Sequence, residues 1–77
     1  MREQLLAILK DIKPEVDFET ATTLIDDNIL DSFDIVTVVV ELNDAFDIEV
    51  SVDDLVPENL NSVDAMIELI NSLQNGL

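Results

Sequence analysis

Cysteine and histidine are absent from the 77-residue sequence, glycine occurs once, and only three residues are basic. Without cysteine there is no disulfide and no thiolate metal site. Without cysteine or histidine, and with no paired base beside a nucleophile, catalysis by the chain itself is not expected. Three Lys and Arg face eighteen Asp and Glu, for a net charge of −15. Binding to nucleic-acid phosphates is therefore not expected, because it needs cations to displace counterions. No apolar run reaches the roughly 18–20 residues that span a bilayer, so membrane insertion is not expected either. Met1-Arg2-Glu3-Gln4 leads straight into an amphipathic pattern rather than a signal peptide. The expectation is a cytoplasmic monomer of one domain, residues 1–77. Its acidic surface suits basic partners, through docking that salt weakens.

Apolar residues make up 48 % of the chain, enough for a small core. Leu5, Ile8, Leu9 and Ile12 recur at helical spacing between Arg2 and Lys13. Lys10 and Lys13 suit the C-terminal end of that helix, and Pro14 stops it. Residues 14–30 hold no period. A connection of that length is uncommon without a function, and Val16, Phe18, Leu24 and Ile25 are expected to tie it to the core. From Val50 to Leu60 one or two helical turns are expected, with Val52, Leu55 and Val56 as apolar contacts and Pro57 as a break. A last helix starts at the cap Asn61-Ser62, presents Val63, Met66, Ile67, Ile70 and Leu73, and ends before Gly76.

The stretch "NILDSFDIVTVVVEL", Asn28–Leu42, is the hardest to assign. Ile35 to Val40 are all β-branched, which favours a strand. No second strand is available to pair with, and a lone strand is not a stable element. At about 100° per residue, Ile35, Val38, Val39, Leu42 and Phe46 fall on one stripe wide enough for a core-facing helix. Poor propensity costs ~0.5 kcal/mol per β-branched residue, against ~1.5–3 kcal/mol for each large apolar side chain buried. The expectation is a helix over 32–46, capped by Asp31 or Ser32, with Asp34 in its first turn. The fold class is then all-α: a small four-helix bundle of three main helices, one short helix, and a long loop between the first two. Phe33, Val36 and Val40 form a second stripe beside Ser32, flanked by Thr37, Asp44 and Asp47, and read as an exposed docking patch with an acidic rim.

Asp31-Ser32-Phe33-Asp34, at the head of the second helix of a short acidic chain, resembles the Asp-Ser-Leu motif of the acyl carrier proteins. The resemblance extends over nearly the whole chain, including "ELNDAFDIEV" and the final helix. It implies that Ser32 carries a covalent 4′-phosphopantetheine arm. It also implies that Asp31 supports the modifying phosphopantetheinyl transferase, near the Mg²⁺ that handles coenzyme A. Phe33, Val36, Thr37, Val40, Glu41 and Asp44 would meet partner enzymes. Those partners would be an adenylating ligase or acyltransferase that loads the arm, then acyl-transfer or synthase enzymes that use it. Where family members often carry Gly before the motif, this chain has Asn28, which tolerates a left-handed turn. Phe33 stands where Leu or Met is commoner. "LVPENLNSV" and "ILDSF" are similar to segments of D-alanyl carriers, although Asp34 stands where those have Gly. Thr37 and Asn43 make the second helix less acidic than in fatty-acid carriers. D-alanyl or another specialised acyl transfer is the leading expectation, and a fatty-acid or polyketide carrier is the alternative.

Two readings of a different class start from the acids alone. A calcium loop counted from Asp26 places Asp31 and Thr37 where Gly and Glu are needed, so the EF-hand pattern fails and only loose divalent binding remains. An acidic DNA mimic would need no particular serine. Ser51, Ser62 and Ser72 are read as turn, cap and surface residues.

Overall fold

The computed structural model describes residues 1–75. Helix α1 is Arg2–Ile12, α2 Ser32–Phe46, α3 Pro57–Leu60 and α4 Val63–Gln74, with one 3₁₀ turn at Val52–Asp54. This is the expected all-α architecture of three main helices and one short one. Helix α1 packs on both α2 and α4, and α3 packs on α4. Gly76, expected as the stop of the last helix, lies outside the described residues. Helix α4 closes on Asn75, whose N–H donates to Asn71 O and Leu73 O. None of the described helices is long and apolar enough to cross a membrane.

The core gathers Leu5 and Leu9 of α1, Val38, Leu42 and Phe46 of α2, Leu60 of α3, and Val63, Met66, Leu69 and Ile70 of α4. Phe18, Leu24 and Leu30 of the long connection are buried with them, which explains how a segment without secondary structure stays in place. Asn61, on the turn between α3 and α4, fixes the connection further. Its backbone O accepts from Leu24 N–H at 3.0 Å. Its side-chain Oδ1 accepts from Ile25 and Asp26 N–H at 2.9 and 3.1 Å, and its Nδ2 donates to Asp26. Asn28 adopts φ 57°, the left-handed turn that asparagine tolerates. The chain therefore reverses just before α2 without a glycine.

Helix α2 forms despite its β-branched run because three large side chains on one stripe are buried and Ile35 packs against them. Val39, expected on that stripe, is half-buried at its margin and does not pack on the core. Asp47 closes the helix with φ 53°. Asn43 Oδ1 accepts from Val50 N–H at 2.9 Å and steers the chain onward.

From Val50 to Leu60 the expected helical turns are present, at Val52–Asp54 and in α3, but the burial of the apolar residues differs from the expectation. Val52 is 83 % exposed, and Leu55 and Val56 are exposed as well; Leu60 alone of this stretch is buried. The expected break falls just before Pro57, between the 3₁₀ turn and α3. Pro57 itself is the first residue of α3, where its fixed φ suits the helix and its missing N–H costs no bond. A turn only three residues long cannot shield Val52, and Leu55 and Val56, beyond it, keep over a third of their surface exposed.

Candidate functional site

Ser32 is the first residue of α2 and is exposed. The residue before it holds it. Asp31 is the cap, which settles the choice between Asp31 and Ser32. Its Oδ1 accepts from Asp34 N–H at 2.9 Å, and Asp34 Oδ2 accepts from Asp31 N–H at 3.2 Å. This reciprocal pair satisfies two of the backbone donors that a helix start leaves open. The serine side chain is spared that duty and faces solvent.

Asp34 is the one buried charged residue among those described, 9 % exposed. Its partner is Lys13, the residue that follows α1, with Nζ 3.1 Å from Asp34 Oδ2. Burial pushes the Asp34 carboxyl up. The hydrogen bond from Lys13, the bond from Asp31 N–H and the lysine charge outweigh burial, so the group titrates below its ordinary 3.8. Lys13 is raised above 10.5, chiefly by its hydrogen bond to Asp34. Sequence reading assigned Asp34 and Lys13 to the dipoles of separate helices. It missed the pair because partners joined across a long connection leave no spacing signal.

Phe33, Val36 and Val40 are 79, 60 and 60 % exposed. They make an apolar surface beside Ser32, and Asp44 is exposed alongside. Thr37 is half-buried and donates its hydroxyl to the Phe33 carbonyl at 3.0 Å, so that hydroxyl is engaged within the helix. Glu41 is exposed but turned toward α1, where it lines a groove with Ile8, Asp11 and Ala45. Glu41 therefore stands at the α1 edge of the expected contact residues.

On the Val36 side of α2 the structure opens a cleft that the sequence did not reveal. It holds about 250 Å³ and is lined by Ile25, Ser32, Ile35, Val36, Leu55, Val56 and Leu60. Apart from Ser32 every lining side chain is aliphatic. Leu55 and Val56, left uncovered by their own segment, are its outer wall. The site therefore joins a rigidly mounted, solvent-facing hydroxyl to an apolar cleft, with an exposed apolar surface next to both. Among the described residues no side chain hydrogen-bonds the Ser32 hydroxyl, an arrangement that suits a hydroxyl acted upon by another protein.

A family model described as "Phosphopantetheine attachment site" matches residues 3–70. No curated protein matches the chain.

Proposed function

Because the chain belongs to the phosphopantetheine-attachment family, we propose that Ser32 receives the arm and that the whole 77-residue chain serves as one carrier unit. Domains of this family bear 4′-phosphopantetheine covalently. They work with a phosphopantetheinyl transferase and with partner enzymes that load and use the arm. The observation that carries the choice of Ser32 is its place: exposed, first in α2, and held by a reciprocal cap that leaves its hydroxyl free. Ser51 bonds Asp54 through its hydroxyl, and Ser62 caps α4 by accepting from Ala65 N–H. Ser72 lies on the last helix, at the end remote in sequence from the motif.

In this reading the Ser32 hydroxyl attacks the pyrophosphate of coenzyme A on the transferase. A phosphodiester forms at Ser32 as the nucleotide 3′,5′-bisphosphate leaves. Asp31, exposed beside the serine, supports that step near the transferase's Mg²⁺. Phe33, Val36 and Val40 offer partners an apolar contact. Asp44 and the wider negative charge steer encounter and keep it reversible. The terminal thiol of the arm, which this cysteine-free chain lacks, holds the cargo as a thioester.

The motif context favours D-alanyl or another specialised acyl transfer. The aliphatic cleft beside Ser32 favours an apolar acyl group over a charged aminoacyl group, because an ammonium would find no partner there. A carrier for fatty-acid or polyketide work gains weight on that observation.

Intact-mass measurement after incubation with coenzyme A, Mg²⁺ and a broad-specificity transferase tests the assignment. The expected result is a gain of one phosphopantetheine in the wild type and none in Ser32→Ala. No gain in the wild type, or the same gain in the variant, refutes it. An acidic DNA mimic or divalent-ion binder would be unmodified in both.

A further inference from the structure

A serine on the first residue of a helix sits where helices open most easily, since the first turn has unpaired donors and little packing. Ser32 needs exposure to be modified, yet a mobile turn would scatter its hydroxyl over many directions. The structure resolves this conflict beneath the serine. Asp34 Oδ2 lies on the inner side of the same turn and meets two donors at once: Asp31 N–H from the cap and Lys13 Nζ from the end of α1. Lys13 is itself anchored, because its backbone N–H donates to Leu9 O at 2.9 Å and Leu9 is fully buried. The pair thus ties the turn that carries Ser32 to the packed end of another helix, across the two ends of the 14–30 connection.

We propose that Lys13 is a positioning residue for Ser32: held against Asp34, its ammonium locks the first turn of α2 so that an exposed hydroxyl keeps a fixed aim. This rests on the reading of Ser32 as the modified residue. Without the cation, Asp34 would be a mostly buried carboxylate with no counter-charge. It would turn toward water, Asp31 N–H would lose its acceptor, and the turn would open locally. Val36 and Val40, most of the exposed apolar contact surface beyond the first turn, lie on the outer side of α2 and do not depend on the pair. The loss should therefore fall on the chemical step, through alignment, rather than on docking.

The test measures phosphopantetheine transfer to full-length wild type, Lys13→Met, Lys13→Arg and Asp34→Asn, with coenzyme A, Mg²⁺ and a broad-specificity transferase. It is run at a temperature where circular dichroism shows every variant folded. Asp34→Asn keeps an acceptor for Asp31 N–H and serves as a second probe if Lys13→Met folds poorly. The expected result is a kcat lower by about fivefold or more in Lys13→Met and Asp34→Asn, as misalignment implies, with KM for the carrier little changed. Lys13→Arg should restore most of the rate. Amide exchange should quicken at Asp34 and Ile35 while Met66, in α4, keeps its protection. A merely stabilising pair would instead leave both kcat and KM unchanged, since every variant is folded under these conditions. That pattern, unchanged kcat in both variants, or a Lys13→Arg as slow as Lys13→Met overturns the proposal. A wild type that gains no mass overturns the Ser32 reading with it; a modified wild type beside unimpaired variants overturns the pair alone.

Discussion

Two turns of the chain start alike, and the outcomes differ. At Asp31–Asp34 the reciprocal cap opens a fifteen-residue helix. At Ser51–Asp54 the third residue again reaches back, Asp54 Oδ2 accepting from Ser51 N–H at 3.1 Å, but the serine hydroxyl donates to the same carboxylate and Asp54 N–H bonds the Ser51 carbonyl, and the helical turn is 3₁₀ and only three residues long. The returning carboxylate is common to both, so it does not decide the length of the helix. Beyond the first cap runs a stripe that buries Val38, Leu42 and Phe46; beyond the second stands Val52, 83 % exposed. Helix nucleation is unfavourable, and propagation in a small protein is carried by the packed face. The first cap also has a cation behind it, Lys13 on Asp34, while neither ion pair among the described residues touches the second.

The comparison breaks most sharply where packing is removed. Leu42→Ala, at a fully buried position, should lower stability by about 3 kcal/mol in urea unfolding, within the range for leucine deletion in cores. Val52→Ala, in the turn opened by the second cap, should stay within about 0.5 kcal/mol, as surface changes do. If Val52→Ala costs as much as Leu42→Ala, the second turn is packed and the contrast fails.

Removing the caps themselves should have a smaller effect and should separate the two turns again. Asp31→Ala takes away the acceptor for Asp34 N–H and exposes a buried ion pair to competition from water, so a loss of about 1 kcal/mol is expected. Ser51→Ala ends a turn that supports no long helix and should cost only about half a kcal/mol or less, at the low end for caps. Thermal unfolding followed by circular dichroism ranks the two. Equal losses would mean that the caps work independently of the helices they start.

The same contrast marks how far the sequence could be read. The helix over Ser32–Phe46 was legible because period and burial agree at Ile35, Val38, Leu42 and Phe46, and this overrode the strand preference of the β-branched run. The turn at Asn28 was legible because few residues tolerate a positive φ. Val52, Leu55 and Val56 were misjudged because apolar character was equated with burial; in so short a segment no face is shielded, and Leu55 and Val56 wall a cleft instead. Leu30 and Leu69, both buried, carry no signal that sets them apart from their apolar neighbours. The bonds of Asn61 to the long connection and the Lys13–Asp34 pair were invisible, because each acts on a backbone or a charge far from it in sequence. The position of Ser32 at a capped helix start was legible from Asp31-Ser32-Phe33-Asp34. The cleft beside it was not, since it exists only where α2 meets the segment before α4.

The finest test of the comparison is pH, because only the first cap is braced by a charge. The folded Asp34 carboxyl titrates below its ordinary 3.8, so its contribution is in place above that value and is lost as pH falls through the depressed folded value. Lys13 titrates above 10.5, so its contribution is in place below that value and is lost as pH rises through the raised one. Glu15 and Asp31 reinforce the raised lysine. Acid also discharges the other carboxylates and relieves the repulsion of a −15 chain, which acts in the opposite direction. The wild type alone is therefore a poor reporter, and the difference between wild type and Asp34→Asn isolates the pair. In melting temperature against pH, that difference should be a plateau through the neutral range that shrinks at both extremes. No gap at any pH would mean that Asp34 stabilises α2 as a hydrogen-bonding cap alone, since asparagine keeps that acceptor, and the two turns would then differ only in the side chains they bury.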